Sequence, residues 1–273
     1  MGSAVYLFSH WKRLEKGLEG RFIWLFLDYD GTLAPIARTP EMAVMPKGTK
    51  GLLRRLSKKS NCRIAVVSGR ALRDISRRIG LKNIVYVGNH GFEIKGPKVR
   101  FKSPVSWRYK KTLEEIRDKL KVKLSHIRGV VMEDKGPSIS VHYRLASRAD
   151  RPKVKTGFYA AIFPHVLKGE VRPGSGKMVL EVRPPISWDK GRAVSWLLGR
   201  RLSGARDKKL KVLPVYIGDD TTDEDAFKAL KDIGITIFVG HAKKTRARFY
   251  LKDTSDVARF LKAIIKKVNS VEP

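Results

Sequence analysis

Phe22-Ile23-Trp24-Leu25-Phe26-Leu27-Asp28-Tyr29-Asp30-Gly31 is the stretch on which the reading of this chain turns. Six consecutive apolar residues, closed by two carboxylates and a glycine, describe a strand covered on both faces that ends in a polar turn. The same design returns at Ile64 to Val67 before Ser68-Gly69-Arg70, at Ile84 to Val87 before Gly88-Asn89-His90-Gly91, and at Val212 to Ile217 before Gly218-Asp219-Asp220. Helical patterns separate these runs at Lys47 to Leu56, Ala71 to Ile79, Gly191 to Leu202 and Thr222 to Leu230. A further strand is expected at Ile235 to Val239, and a terminal helix from Ser255 to about Val268 with a frayed tail after Lys266. Leu7, Trp11, Leu14 and Leu18 predict a leading helix within Tyr6 to Leu18. Strands alternating with helices imply an α/β fold with a parallel sheet and right-handed crossovers, whose ligands sit beyond the carboxyl ends of the strands.

From about Val99 to Pro185 the rhythm changes. A helix (Trp107 to Leu124) precedes two short runs (Val130 to Glu133, Ser138 to Arg144) split by the turn Lys135-Gly136-Pro137. A second helix (Arg151 to Phe163) precedes two more runs (Val166 to Val171, Met178 to Arg183). The order suits a small antiparallel α+β module inserted into the first domain. The expected organisation is a core of residues 1–98 and 186–273 with an insert of residues 99–185.

Composition limits the function. With 42% hydrophobic residues in 273, the chain can bury a core, which excludes general disorder. It contains no apolar run of spanning length, and Met1 to Arg21 lacks a signal-peptide pattern, so a soluble, cytoplasmic protein without a membrane partner is expected. The lone Cys62 excludes an internal disulfide and lies in a run that reads as buried core. The 58 basic and 26 acidic residues leave a net charge of +32. Such a field recruits anions, but the cations are scattered in pairs such as Arg54-Arg55 and Lys266-Lys267, with no arm or motif for a specific nucleic-acid partner. Against that background Asp28, Asp30, Asp219, Asp220, Asp223, Glu224 and Asp225 crowd into two segments, as a divalent-cation site requires.

Asp28 and Asp30 put two carboxylates at a spacing of two beyond a strand, one to attack phosphorus and one to stand beside it as an acid. A bare Asp-x-Asp is more often an acidic turn; its companions change that reading. Ser68 ends another strand with a hydroxyl for phosphate oxygen. Lys190 opens a helix and brings a positive charge. Asp219, Asp220 and Asp223 add hard oxygen donors for Mg2+.

This ordered set resembles the haloacid dehalogenase superfamily of phosphatases. The resemblance implies a Rossmann-like core with Asp28 as nucleophile, Asp30 as general acid and base, and Ser68, Gly69 and Lys190 on the phosphate. It also implies Mg2+ held at Asp28, the Asp30 backbone carbonyl and Asp219, with Asp220 or Asp223 close by, and an inserted cap that selects the substrate. The finer strings resemble the trehalose-phosphatase family within it: Val67 to Arg70, Gly88 to Gly91, Gly218 to Phe227, Glu133-Asp134-Lys135-Gly136-Pro137-Ser138, His142-Tyr143-Arg144 and Leu180 to Pro184. By that resemblance Glu133, Lys135 and Glu181 bind sugar hydroxyls, with Arg144 nearby. Arg70, Asn89 and His90 are further substrate-side candidates in the core. The alternative for Glu133, Lys135 and Arg144 is a cross-strand ladder of salt bridges. The activity implied is Mg2+-dependent hydrolysis of trehalose 6-phosphate through an aspartyl-phosphate. Sucrose 6-phosphate and mannosyl- or glucosyl-phosphoglycerate are rival substrates, and a basic nucleic-acid binder on this fold is a distant alternative.

Overall fold

The computed structural model describes residues 4–204, 211–241 and 244–268. Its strands are β1 (Val5–Tyr6), β2 (Phe22–Leu27), β3 (Cys62–Val67), β4 (Val85–Gly88), β5 (Glu93–Gly96), β6 (Val99–Lys102), β7 (Val131–Asp134), β8 (Ile139–His142), β9 (Arg172–Gly176), β10 (Val179–Arg183), β11 (Val212–Gly218), β12 (Ile235–Val239) and β13 (Phe249–Leu251). Its helices are α1 (Trp11–Lys16), α2 (Lys47–Leu56), α3 (Leu72–Ile79), α4 (Trp107–Leu124), α5 (Arg151–Leu167), α6 (Lys190–Gly204), α7 (Glu224–Leu230) and α8 (Thr254–Val268). The chain divides into two compact units, residues 1–37, 41–101 and 188–273 in one and residues 38–40 and 102–187 in the other.

In the first unit the described strands form one sheet in the order β1-β13-β12-β11-β2-β3-β4-β5-β6, parallel from β1 to β4. Every residue of β2 is buried, and alternate side chains serve opposite faces. Leu25 and Leu27 join a core with Leu53 and Leu56 of α2 and Phe260 and Ile264 of α8, while Trp24 and Phe26 pack with Ala193 of α6 and Phe227 of α7. Each such side chain contributes roughly 1.5–3 kcal/mol by leaving water. This double covering explains why the central strands read as unbroken apolar runs. It also brings the carboxyl ends of β11, β2, β3 and β4 side by side.

In the second unit the described strands form an antiparallel sheet in the order β7-β8-β10-β9, and α4 and α5 cover one face. Ile139, Val141, Leu180 and Val182 pack with Ile116 and Leu120 of α4 and Phe158 and Ile162 of α5. The alternate residues Ser140 and Glu181 therefore point to the other face, where Glu133 of β7, Ser140 of β8 and Glu181 of β10 lie in register across the sheet.

Several elements differ from the sequence reading. The leading helix is shortened to α1, because Val5 and Tyr6 pair with Phe249 and Tyr250 instead and a 3-10 turn, Leu7–His10, intervenes. The strand expected at Val166 to Val171 is the end of α5, which runs through Pro164 to Leu167; the strand follows at Arg172–Gly176. The hairpin of β5 and β6 extends the core sheet, so Val99 begins a strand of that sheet. The frayed tail falls partly outside the described residues.

Candidate active site

Asp28 is the first residue past β2, and its N–H still donates to the Ile217 carbonyl of β11 at 2.9 Å. The sheet thereby fixes its backbone. Lys190, first residue of α6, donates from Nζ to Asp28 Oδ1 and Asp223 Oδ1, both at 2.7 Å. All three side chains are buried. Tyr216 of β11 adds its hydroxyl to Asp223 Oδ1 at 2.7 Å, and Asp223 Oδ2 accepts the N–H groups of Asp219 and Asp220 at 3.0 Å. Asp223 thus ties α6, β11 and its own loop together.

Oxygens of Asp28, Asp219 and Asp223 lie within 4.8 Å of one another. Three buried carboxylates around one ammonium leave a charge deficit. Burial pushes the Asp28 carboxyl well above its ordinary pKa; Lys190 opposes this, and Asp223 and Asp219 add to it. Burial alone would depress Lys190, but Asp223 and Asp28 outweigh it and hold the ammonium charged. Burial, reinforced by Asp223, keeps the Tyr216 phenol protonated. An oxygen-only donor set with excess negative charge suits a hard divalent cation. Room for Asp219 depends on Gly31, whose φ of +86° favours glycine and whose added Cβ would collide with the Asp219 carboxylate.

Asp30 and Asp220 stand outside that trio of carboxylates. Both oxygens of Asp30 accept from Arg70, Nε to Oδ2 at 2.7 Å and a terminal nitrogen to Oδ1 at 2.6 Å. Asp220 caps the short 3-10 turn Thr221–Asp223, accepting the Thr221 N–H at 2.7 Å.

Ser68 follows β3, and its N–H donates to the Val87 carbonyl of β4 at 2.9 Å. Its hydroxyl oxygen accepts the Arg70 N–H at 3.1 Å, closing a tight turn. Asn89 and His90, beyond β4, have φ of 50° and 56°, an uncommon pair for residues with side chains. Their N–H groups donate to the carbonyls of Arg70 and Ser68 at 2.8 and 3.0 Å. Asn89 Nδ2 donates to Glu93 at 2.6 Å, and a Cβ on Gly69 would come 2.5 Å from the His90 ring. The Asn89-His90 turn is therefore the wall against which the Ser68–Arg70 turn is shaped.

The second unit holds its own polar cluster. Glu181, 2% exposed, accepts at Oε1 from Ser138 (2.9 Å), Lys135 (3.3 Å) and Ser140 (3.3 Å), and at Oε2 from Arg183 (2.6 Å). Glu133 Oε2 lies 3.0 Å from His142 Nε2 and 4.0 Å from Lys135 Nζ. Lys135, its side chain 7% exposed, thus lies between Glu133 and Glu181, and the alternative ladder expected for Glu133, Lys135 and Arg144 does not take in Arg144. Arg144 instead donates to the Lys177 carbonyl in the β9–β10 turn at 2.8 Å.

Sequence reading overlooked Tyr216, Asp74 and Arg78. Tyr216 sits in the apolar run of β11, where its ring is ordinary core and nothing marks the hydroxyl. Asp74 accepts from Arg70 at 3.0 Å and from Arg78 at 2.7 Å on α3, where an i, i+4 charge pair reads as a solvated helix face.

The profile of the trehalose-phosphatase family matches residues 26–255. The chain is 35% identical to the probable trehalose-phosphate phosphatase 3 of Oryza sativa subsp. japonica, over 92% of this chain and 72% of that protein. It is 34% identical to the trehalose-phosphate phosphatase of Mycobacterium tuberculosis, over 93% of this chain and 64% of that longer protein. Among solved structures, the C-terminal domain of the Candida albicans trehalose-6-phosphate phosphatase superposes with a TM-score of 0.81 over 99% of this chain and 100% of its own at 24% identity, which speaks for the fold. A trehalose-6-phosphate phosphatase related protein superposes with a TM-score of 0.74 over 89% of this chain and 97% of its own at 28% identity.

Proposed function

We propose, from the premise that this chain belongs to the trehalose-phosphatase family, that it releases phosphate from trehalose 6-phosphate with Asp28 as the nucleophile. The observation that carries this reading is the buried meeting of Asp28, Lys190, Asp219 and Asp223, drawn from three distant segments onto neighbouring strand ends.

An Asp28 oxygen attacks phosphorus, the bond from phosphorus to the sugar oxygen breaks, and Asp30 gives the leaving oxygen its proton. Water then attacks the acylphosphate, Asp30 takes the water's proton, and inorganic phosphate leaves as Asp28 is restored. Lys190 holds the Asp28 carboxylate in line and faces the incoming phosphate with a charge. The Ser68 hydroxyl and the Gly69 N–H contribute donors to phosphate oxygens. Mg2+ bound at Asp28 and Asp219 supplies charge neutralisation for the phosphoryl group. Asp223, whose two oxygens already accept from Lys190, Tyr216 and two N–H groups, supports that site from behind.

In the second unit, Glu133, Lys135 and Glu181 are read as partners for sugar hydroxyls. Charged groups of this kind reject analogues that lack the matching hydroxyl. The test is phosphate release from trehalose 6-phosphate with and without a chelator, beside sucrose 6-phosphate, mannosyl- and glucosyl-phosphoglycerate. The highest kcat/KM is expected for trehalose 6-phosphate, with activity lost on chelation and restored by Mg2+. A higher kcat/KM for any rival reassigns the substrate, and full activity in the chelator removes the metal from the scheme.

A further inference from the structure

Arg70 stands at the turn after β3, where a guanidinium reads as a hand for the substrate. Two carboxylates of the protein itself are among its partners. Two nitrogens grip both oxygens of Asp30 at 2.7 and 2.6 Å, and the third donates to Asp74 at 3.0 Å. The Arg70 side chain is 9% exposed, whereas that of Asp30 is 40% exposed. An exposed aspartate on a turn ordinarily samples several rotamers. A planar fork on both oxygens fixes the orientation of the carboxylate plane as well as its distance, which a point charge does not.

We infer that Arg70 is a positioning residue, which orients the Asp30 carboxylate for proton transfer and does not read the substrate. This rests on the proposed role of Asp30. The clamp is itself anchored. Asp74 is held by Arg78 Nε at 2.7 Å, and Arg78 donates onward to the carbonyls of Glu41 and Ala43 at 3.2 and 3.3 Å. The Ala43 carbonyl also accepts the Tyr29 hydroxyl at 3.1 Å, and the Tyr29 ring lies 5.4 Å from the Arg70 guanidinium. An ionic chain Asp30–Arg70–Asp74–Arg78 thus ends on the same loop that Tyr29, neighbour of Asp30, already holds. Proton transfer demands donor and acceptor within hydrogen-bond reach in one geometry, so loosening any link should slow turnover without weakening substrate binding.

The experiment measures kcat and KM for Arg70→Met, Arg70→Lys and Asp74→Asn on trehalose 6-phosphate and on p-nitrophenyl phosphate, which has no sugar to read. For Arg70→Met, kcat on trehalose 6-phosphate is expected to fall about 100-fold with KM within about threefold, as for a lost interaction that matters only in the transition state; on p-nitrophenyl phosphate, whose phenolate leaves without a proton, the expected fall is about tenfold, from the water step that still needs Asp30. Arg70→Lys should recover about tenfold of the loss on trehalose 6-phosphate, and Asp74→Asn should lose only about fivefold on that substrate. A loss expressed in KM for trehalose 6-phosphate, with kcat kept, would make Arg70 a substrate ligand and overturn the inference. So would a folded Arg70→Met variant with kcat near the parent's. If circular dichroism shows that variant unfolded, Arg70→Lys and Asp74→Asn decide the matter, and unchanged kcat in both overturns it. Hydrolysis of the aryl ester alone would refute the trehalose assignment while leaving the Arg70 comparison intact.

Discussion

In the core unit three aspartates cluster and one lysine bonds two of them; in the other unit Glu133 and Glu181 face Lys135, Arg183 and His142. The parts are alike and the balance is not. The first cluster is short of positive charge, and its Asp28, Lys190 and Asp223 come from elements locked by a sheet covered on both faces. Its excess of negative charge suits a hard divalent cation. The second pairs its carboxylates with cations of its own, and on the proposed reading a sugar hydroxyl at Glu181 replaces a bond that one of its oxygens already accepts. Little net energy comes from such an exchange, because a ligand only trades partners. The proposed reading draws discrimination from it nevertheless, since a sugar lacking the right hydroxyl would leave a buried charge unpaired.

Substitutions sharpen the contrast. Asp28→Asn keeps shape and removes the proposed nucleophile, so turnover of every phosphomonoester should drop by at least about 1,000-fold, with an unchanged circular dichroism spectrum. Substantial residual kcat would mean that the charge-deficient cluster is not the reacting one. Glu181→Gln should lower kcat/KM for trehalose 6-phosphate by roughly 10–100-fold and alter p-nitrophenyl phosphate by less than about threefold. Equal losses on both substrates would show that the balanced cluster serves structure alone. Arg144→Ala should cost less than about threefold on either substrate, because its guanidinium is spent on the Lys177 carbonyl. A loss like that of Glu181→Gln would bring Arg144 into the sugar-reading group.

The same contrast explains what a reader of the sequence can see. Strands buried on both faces announce themselves, and Phe22–Leu27, Cys62–Val67 and Val212–Gly218 correspond closely to the apolar runs. Edge strands and short hairpin arms do not. Arg172–Gly176 carries a proline and two glycines, tolerable because it pairs on one side only, and Glu93–Gly96 is a short, partly exposed arm of a hairpin. Helix periodicity misleads where Val166 and Leu167 complete α5 beyond an internal proline. Asp28, Asp219 and Lys190 are legible because chemistry-bearing residues directly follow or open elements whose limits are visible. The Arg70 grip on Asp30 spans 40 residues, and the Tyr216 hydroxyl lies among apolar neighbours, so both emerge only when the strands are laid side by side.

The imidazole of His90 against Gly69 carries a lesson for anyone grafting the turn that follows β3. The tripeptide Ser68-Gly69-Arg70 is not a portable cassette: its contour is cast by a neighbouring turn some twenty positions downstream. A transplant must carry Asn89 and His90 with it, left-handed backbone included. Otherwise the mould is left behind, and the motif arrives without its shape.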